Sequence, residues 1–252
     1  MPEKPSIRIL DDLQAIARAA AEEFIVRCQQ SIKDHGRFTV ALSGGSTPKA
    51  LHAVLVERFK ANPKLIEWSR VQIFFGDERH VPPDHPDSNF RMANETLLSK
   101  VPISKENIHR IHCENPDAAK AAAEYDAELA KAFRLKESEF PRFDLILLGM
   151  GPDGHTASLF PKTAALNELS KRVVANWVDK FNTWRVTFTR PTINNAASVM
   201  LMVAGEDKAA ALAEVMDGGS PEMYPVKYVK PTNARLVWLL DRAAAKLVKV
   251  SS

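Results

Sequence analysis

FTVALSGGSTPKALHAVLVERFK, residues 38–60, is the stretch on which the fold turns. Phe38 to Leu42 reads as a short apolar strand, Ser43-Gly44-Gly45-Ser46-Thr47-Pro48 as a turn, and Lys49 to about Lys60 as a helix. Strand, glycine turn and helix in that order make half of a βαβ unit. The rhythm returns where Val71 to Phe75 runs into Gly76-Asp77-Glu78-Arg79, and where Phe143 to Leu148 runs into Gly149-Met150-Gly151-Pro152-Asp153-Gly154-His155.

Working outward, Asp11 to about Asp34 carries apolar residues at helical spacing behind an Asp cap, with Gly36 as its stop signal. Further helices are expected from about Asn89 to Lys100, Pro116 to Phe133 and Lys208 to Met216. Further strands are expected at Arg172 to Val178, Arg185 to Thr189, Val199 to Val203 and Leu236 to Leu240. Uninterrupted apolar strands are buried on both faces, so the class is α/β, doubly wound, with a mainly parallel sheet and helices on both faces. Asp217 to Pro231 reads as a long loop within one domain spanning 1–252.

With 252 residues, 45% of them hydrophobic and 26% charged, the chain is neither disordered nor fibrous. Its 34 basic and 31 acidic residues leave a charge of +3 that is dispersed, which does not suit a nucleic-acid partner. The two cysteines, Cys28 and Cys113, have no CxxC spacing and no nearby His, so neither a disulfide framework nor a zinc site is expected. No stretch approaches the 18 or so apolar residues of a membrane helix, and no targeting segment is read. The expectation is a cytoplasmic protein, monomeric or a small homo-oligomer, that binds no membrane, metal or cofactor.

Ligands of open α/β sheets bind beyond the carboxyl ends of the strands, which directs attention to the three turns. Ser43, Gly44, Gly45, Ser46 and Thr47 read either as a phosphate cradle at a helix start or as a tight turn with Thr47 as N-cap and Pro48 at the first helical position. The turn is neither a Walker loop nor GxGxxG, so no nucleotide is expected. Asp77 and Arg79 bring a carboxylate and a guanidinium to the same sheet edge, or else form a surface charge cluster. His155, in a glycine-rich turn after the most apolar strand, is the candidate general base, because a free imidazole titrates near pH 6.5. Asp153 either orients that imidazole or shapes the turn. Arg185 and Lys208 either close over a phosphate or are ordinary solvated side chains.

SGGSTP at 43–48, FFGDERHVPPDHPDSNFRMANETLL at 74–98 and LLGMGPDGHTASLFP at 147–161 together resemble the 6-phosphogluconolactonase family, and RVTFTRPTINNA, GEDKAAAL and WLLDRAAA downstream fit the same pattern. The resemblance implies hydrolysis of 6-phospho-D-glucono-1,5-lactone with His155 as base, Asp77 as a second polar group, and Arg79, Arg185, Lys208 and the 44–47 turn holding phosphate. The related glucosamine-6-phosphate deaminases carry a Glu five residues after the corresponding His. This chain has Phe160 there, which favours the hydrolase over the deaminase. A sugar-phosphate-sensing regulator is the non-enzymatic alternative.

Overall fold

The computed structural model describes residues 5–249. Six strands form one sheet: β1 (Ser6–Leu10), β2 (Phe38–Leu42), β3 (Val71–Phe75), β5 (Leu145–Leu148), β8 (Ser198–Val203) and β9 (Arg235–Asp241). Their order is β1-β9-β8-β5-β2-β3, and every neighbouring pair is parallel. All residues of β2, β5 and β8 are buried, so both faces of the sheet are covered, as their apolar runs require. The cover comes from α1 (Leu13–His35), α2 (Ser46–Ala61), α3 (Asn89–Thr96), α4 (Ala118–Phe133), α6 (Ala209–Asp217) and the short α5 (Arg190–Asn194) and α7 (Arg242–Ala245).

Helix boundaries follow local chemistry. Asp12 caps α1 by accepting from the Ala15 amide, and Gly36 ends it at φ 83°, a left-handed conformation that suits glycine. Asp117 accepts from two amides at the start of α4. The helix expected from Asn89 to Lys100 breaks at Leu97 and continues as one 3-10 turn.

Two parts of the topology differ from the expectation. β1, where no strand is expected, is an edge strand whose Ile7 and Ile9 stay exposed, so it lacks the burial signature of the others. The runs around 173 and 185 do not join the parallel sheet. β6 (Val173–Val178) and β7 (Thr183–Phe188) pair antiparallel, and β7 pairs antiparallel with β4 (Asp77–Arg79). The reason is loop length: four residues, 179–182, suffice for a hairpin but not for a parallel crossover. Gly76 joins the two sheets, donating to Leu42 O at 2.9 Å and accepting from the Phe188 amide at 2.8 Å.

The chain leaves β2 toward β3 on one side and returns to place β5 on the other, so the sheet reverses its winding between β2 and β5. The crevice outside their carboxyl ends is where such folds bind ligands. α2 and α3, which flank it, are tied by His52. Thr96 Oγ1 donates to Met92 O, so His52 Nδ1 donates to Thr96 Oγ1 at 2.7 Å, and Nε2 is left buried without a partner.

Burial pulls the His52 imidazole down from 6.5 to about 4. Because the folded value lies below the unfolded one, stability is complete above pH 6.5 and drains away as pH falls to 4, by about 3 kcal/mol in all. Urea unfolding at pH 7 and pH 4.5 measures this: His52→Leu should flatten the wild-type loss of stability, and an unchanged loss would contradict the assignment.

Candidate active site

The crevice holds a cavity of about 300 Å³ whose wall draws on every turn singled out in the sequence: Ser43 to Thr47 after β2, Asp77 and Arg79 on β4, Gly149 to Pro152 and His155 to Ala157 after β5, and Lys208 after β8, with Asp153 behind His155 rather than on the wall. Larger hollows of about 610 and 450 Å³ lie elsewhere and include none of these turns.

Helix α2 begins at Ser46, with Gly45 as its N-cap at φ 110° and no side chain accepting from its first turn. Thr47 is therefore not the cap and Pro48 is not the first helical residue. The Ser46 and Thr47 amides lie in the first turn, where no carbonyl of the helix reaches them, and the helix dipole adds positive potential there. Gly44 is required because a Cβ would overlap the Asn89 side chain.

On the facing turn, His155 Nδ1 lies 2.5 Å from Asp153 Oδ1. Burial alone would raise the Asp153 carboxyl, but the His155 hydrogen bond and charge, with Lys180 Nζ at 3.0 Å, outweigh it and hold the group well below the usual carboxylate range. An ionised carboxylate only accepts, so Nδ1 carries the proton and Nε2 keeps the lone pair a base needs. The Phe160 ring stacks on the imidazole at 4.0 Å between centroids. Gly151 is obligatory, since a Cβ there would overlap the His155 ring, and Gly154 takes φ 73° with Tyr224 packed against it.

β-strand alternation sorts the Asp77-Glu78-Arg79 triplet. Asp77 and Arg79 face the cavity, while Glu78 turns away and is nearly fully buried. Asp77 Oδ2 accepts from Ser158 Oγ at 2.6 Å, and its backbone carbonyl accepts from Asn89 Nδ2 at 2.9 Å. Glu78 accepts from the amides of Arg79, Asn89 and Phe90 and from Ser88 Oγ, which anchors the start of α3. Burial pushes its carboxyl up against the pull of those three amides.

The structure places Arg185 differently from the other candidates. It is the register partner of Arg79 and stands beside it, but it is not on the cavity wall. Its Nε and Nη1 are buried without partners, and burial together with the charge of Arg79 lowers its affinity for a proton. Lys208 is on the wall, paired with Asp207. Sequence reading missed Asn89, Ser158 and Lys180. The first two lie inside motifs already quoted, but nothing in their spacing marks a contact with Asp77.

No helix among the described residues is long and apolar enough to cross a membrane. The fold is an α/β fold whose candidate site lies at the carboxyl ends of a parallel sheet. A family model described as glucosamine-6-phosphate isomerases/6-phosphogluconolactonase matches residues 11–238. A 6-phosphogluconolactonase of Nostoc sp. is 40% identical over 248 residues, covering 98% of this chain and 100% of that protein. The solved 6-phosphogluconolactonase from Trypanosoma cruzi superposes with a TM-score of 0.85 at 28% identity, covering 98% of this chain and 97% of the other. A monomeric glucosamine-6-phosphate deaminase has the same fold, with a TM-score of 0.79 at 17% identity, covering 96% of this chain and 99% of its own. The chain belongs to the glucosamine-6-phosphate isomerase/6-phosphogluconolactonase family.

Gly151→Ala should displace the His155 ring and lower turnover by about 10²-fold, as misplacement of a catalytic group by about 1 Å does, while the circular-dichroism melt keeps one cooperative transition. Full turnover in that variant would show that the ring position is not constrained by Gly151.

Proposed function

We propose that this chain hydrolyses 6-phospho-D-glucono-1,5-lactone to 6-phospho-D-gluconate, the second step of the oxidative pentose phosphate pathway, as a single cytoplasmic domain using His155 rather than a metal ion to activate water. The observation that carries this reading is the His155–Asp153 pair facing the uncapped start of α2 across one cavity. A base and an anion site at opposite walls suit a phosphorylated substrate with a reactive carbonyl at its other end.

In this mechanism Nε2 takes a proton from water as its oxygen attacks C1 of the lactone. The tetrahedral oxyanion is stabilised by the amides and cations of the cavity. The bond between C1 and the ring oxygen then breaks, and that oxygen takes the proton back from Nε2, leaving a carboxylic acid that ionises. Asp153 holds the ring tautomer throughout and stabilises the imidazolium. The phosphate sits on the Ser46 and Thr47 amides with Lys208, while Arg79, backed by Arg185, adds positive potential from β4, and Asp77 supplies the second polar group. The deaminase reading requires an acid or base where Phe160 instead stacks on His155.

Hydrolysis of freshly generated lactone, with the spontaneous rate subtracted, tests the reading. His155→Ala should lose about 10²- to 10⁴-fold in kcat, the usual contribution of a positioned acid/base. Near-native turnover would remove His155 from the role, and ammonia release from glucosamine 6-phosphate without lactone hydrolysis would overturn the proposed activity. Lys208→Ala should raise KM by roughly 10-fold or more with a smaller change in kcat, as loss of a charged phosphate contact does. A loss confined to kcat would move Lys208 to the reacting centre.

A further inference from the structure

The β6–β7 hairpin reaches the His155–Asp153 pair from outside the cavity. At its tip, residues 179–182, Lys180 Nζ lies 3.0 Å from Asp153 Oδ2, the oxygen that His155 Nδ1 does not use. The next residue, Phe181, meets Phe160 edge-on at 5.7 Å, and Phe160 is the ring stacked on His155. One hairpin turn thus touches both members of the pair, the carboxylate through an ion pair and the imidazole through two aromatic rings.

The tip is built to hold that position. Asn182 adopts the left-handed conformation at φ 47°, and Trp177 Nε1 donates to Asp179 Oδ1 at 2.7 Å. Trp177 and Trp184 pack edge-on across the hairpin at 5.4 Å. Lys180 and the Arg185 guanidinium both lie over the Phe181 ring, at 5.4 and 5.6 Å from its centroid.

We propose that Lys180 is a positioning residue for the His155–Asp153 pair, fixing the carboxylate by its second oxygen so that the first stays aimed at Nδ1, with Phe181 seating Phe160 against the imidazole. This rests on the functional reading above only for the choice of assay. A surface ion pair of this exposure contributes little to folding, since Lys180 is 54% exposed. Its value lies in geometry: a carboxylate gripped at one oxygen alone can rotate, and the tautomer it enforces on His155 then weakens. Lys180 also sets the charge around the ring. The other charged groups around it are Asp153, bonded to it on its own loop, and, lining the same cavity, Asp77 and Arg79 from β4 and Lys208 after β8. Removing one positive charge lets the imidazole keep its proton to higher pH.

Lys180→Met should therefore lower kcat several-fold with little change in KM and move the acid limb of the kcat/KM profile upward by roughly half a pH unit, the effect of one charge at about 6 Å in a watery setting. Lys180→Arg should restore both. The same limb should appear without substrate in the rate at which diethyl pyrocarbonate modifies His155, followed by peptide mass spectrometry between pH 5 and 8. If wild type fails to hydrolyse the lactone but the modification limb still moves in Lys180→Met, the functional reading falls and the positioning role stands. If wild type is active and neither limb moves, the positioning role is wrong. A rise in KM with an unmoved limb would also overturn it, making Lys180 a substrate contact.

Discussion

The hydrogen bond between His155 Nδ1 and the Asp153 carboxylate, 2.5 Å long, decides which imidazole nitrogen has a lone pair to offer, and several otherwise unrelated features exist in relation to it. Gly151 must lack a side chain because the ring occupies that space, and Gly154 takes a left-handed φ with Tyr224 packed where a Cβ would stand. Phe160 covers one face of the ring, so the imidazole is held by a carboxylate at its edge and an aromatic plane on its flank. None of these contacts is strong alone. Together they hold a flexible side chain to one orientation, which is what the proposed role of His155 requires.

The opposite wall is organised by charge rather than by packing. An uncapped helix start, Arg79 and Lys208 surround a small volume, and Arg185 stands behind Arg79 with two buried donors unused. Burial first, and the like charge of Arg79 after it, lower the proton affinity of Arg185. In the proposed reading, a dianionic phosphate at the start of α2 would relieve that repulsion.

Much of this was legible in the sequence because it rests on short-range rules. Fully apolar strands named the parallel sheet, the glycine turns named the carboxyl edge, and His155 and Asp153 lie two residues apart on one turn. What was not legible depends on pairing at long range. The antiparallel sheet brings Arg185 beside Arg79 from more than a hundred residues away, and the hairpin tip brings Lys180 to Asp153. Thr47 and Pro48 looked like cap and first helical residue because their types allow it, but the helix starts earlier, at Ser46. β1 escaped notice because an edge strand with exposed isoleucines carries no burial pattern to read.

The central claim is directional: phosphate at the start of α2, reacting carbon at His155. A crystal structure of the chain with 6-phosphogluconate bound tests it most directly. The account predicts the phosphate oxygens within hydrogen-bond distance of the Ser46 and Thr47 amides and of Lys208, and the carboxylate within reach of His155 Nε2. A product bound the other way round, with its carboxylate on the α2 turn and its phosphate beside His155, would contradict it.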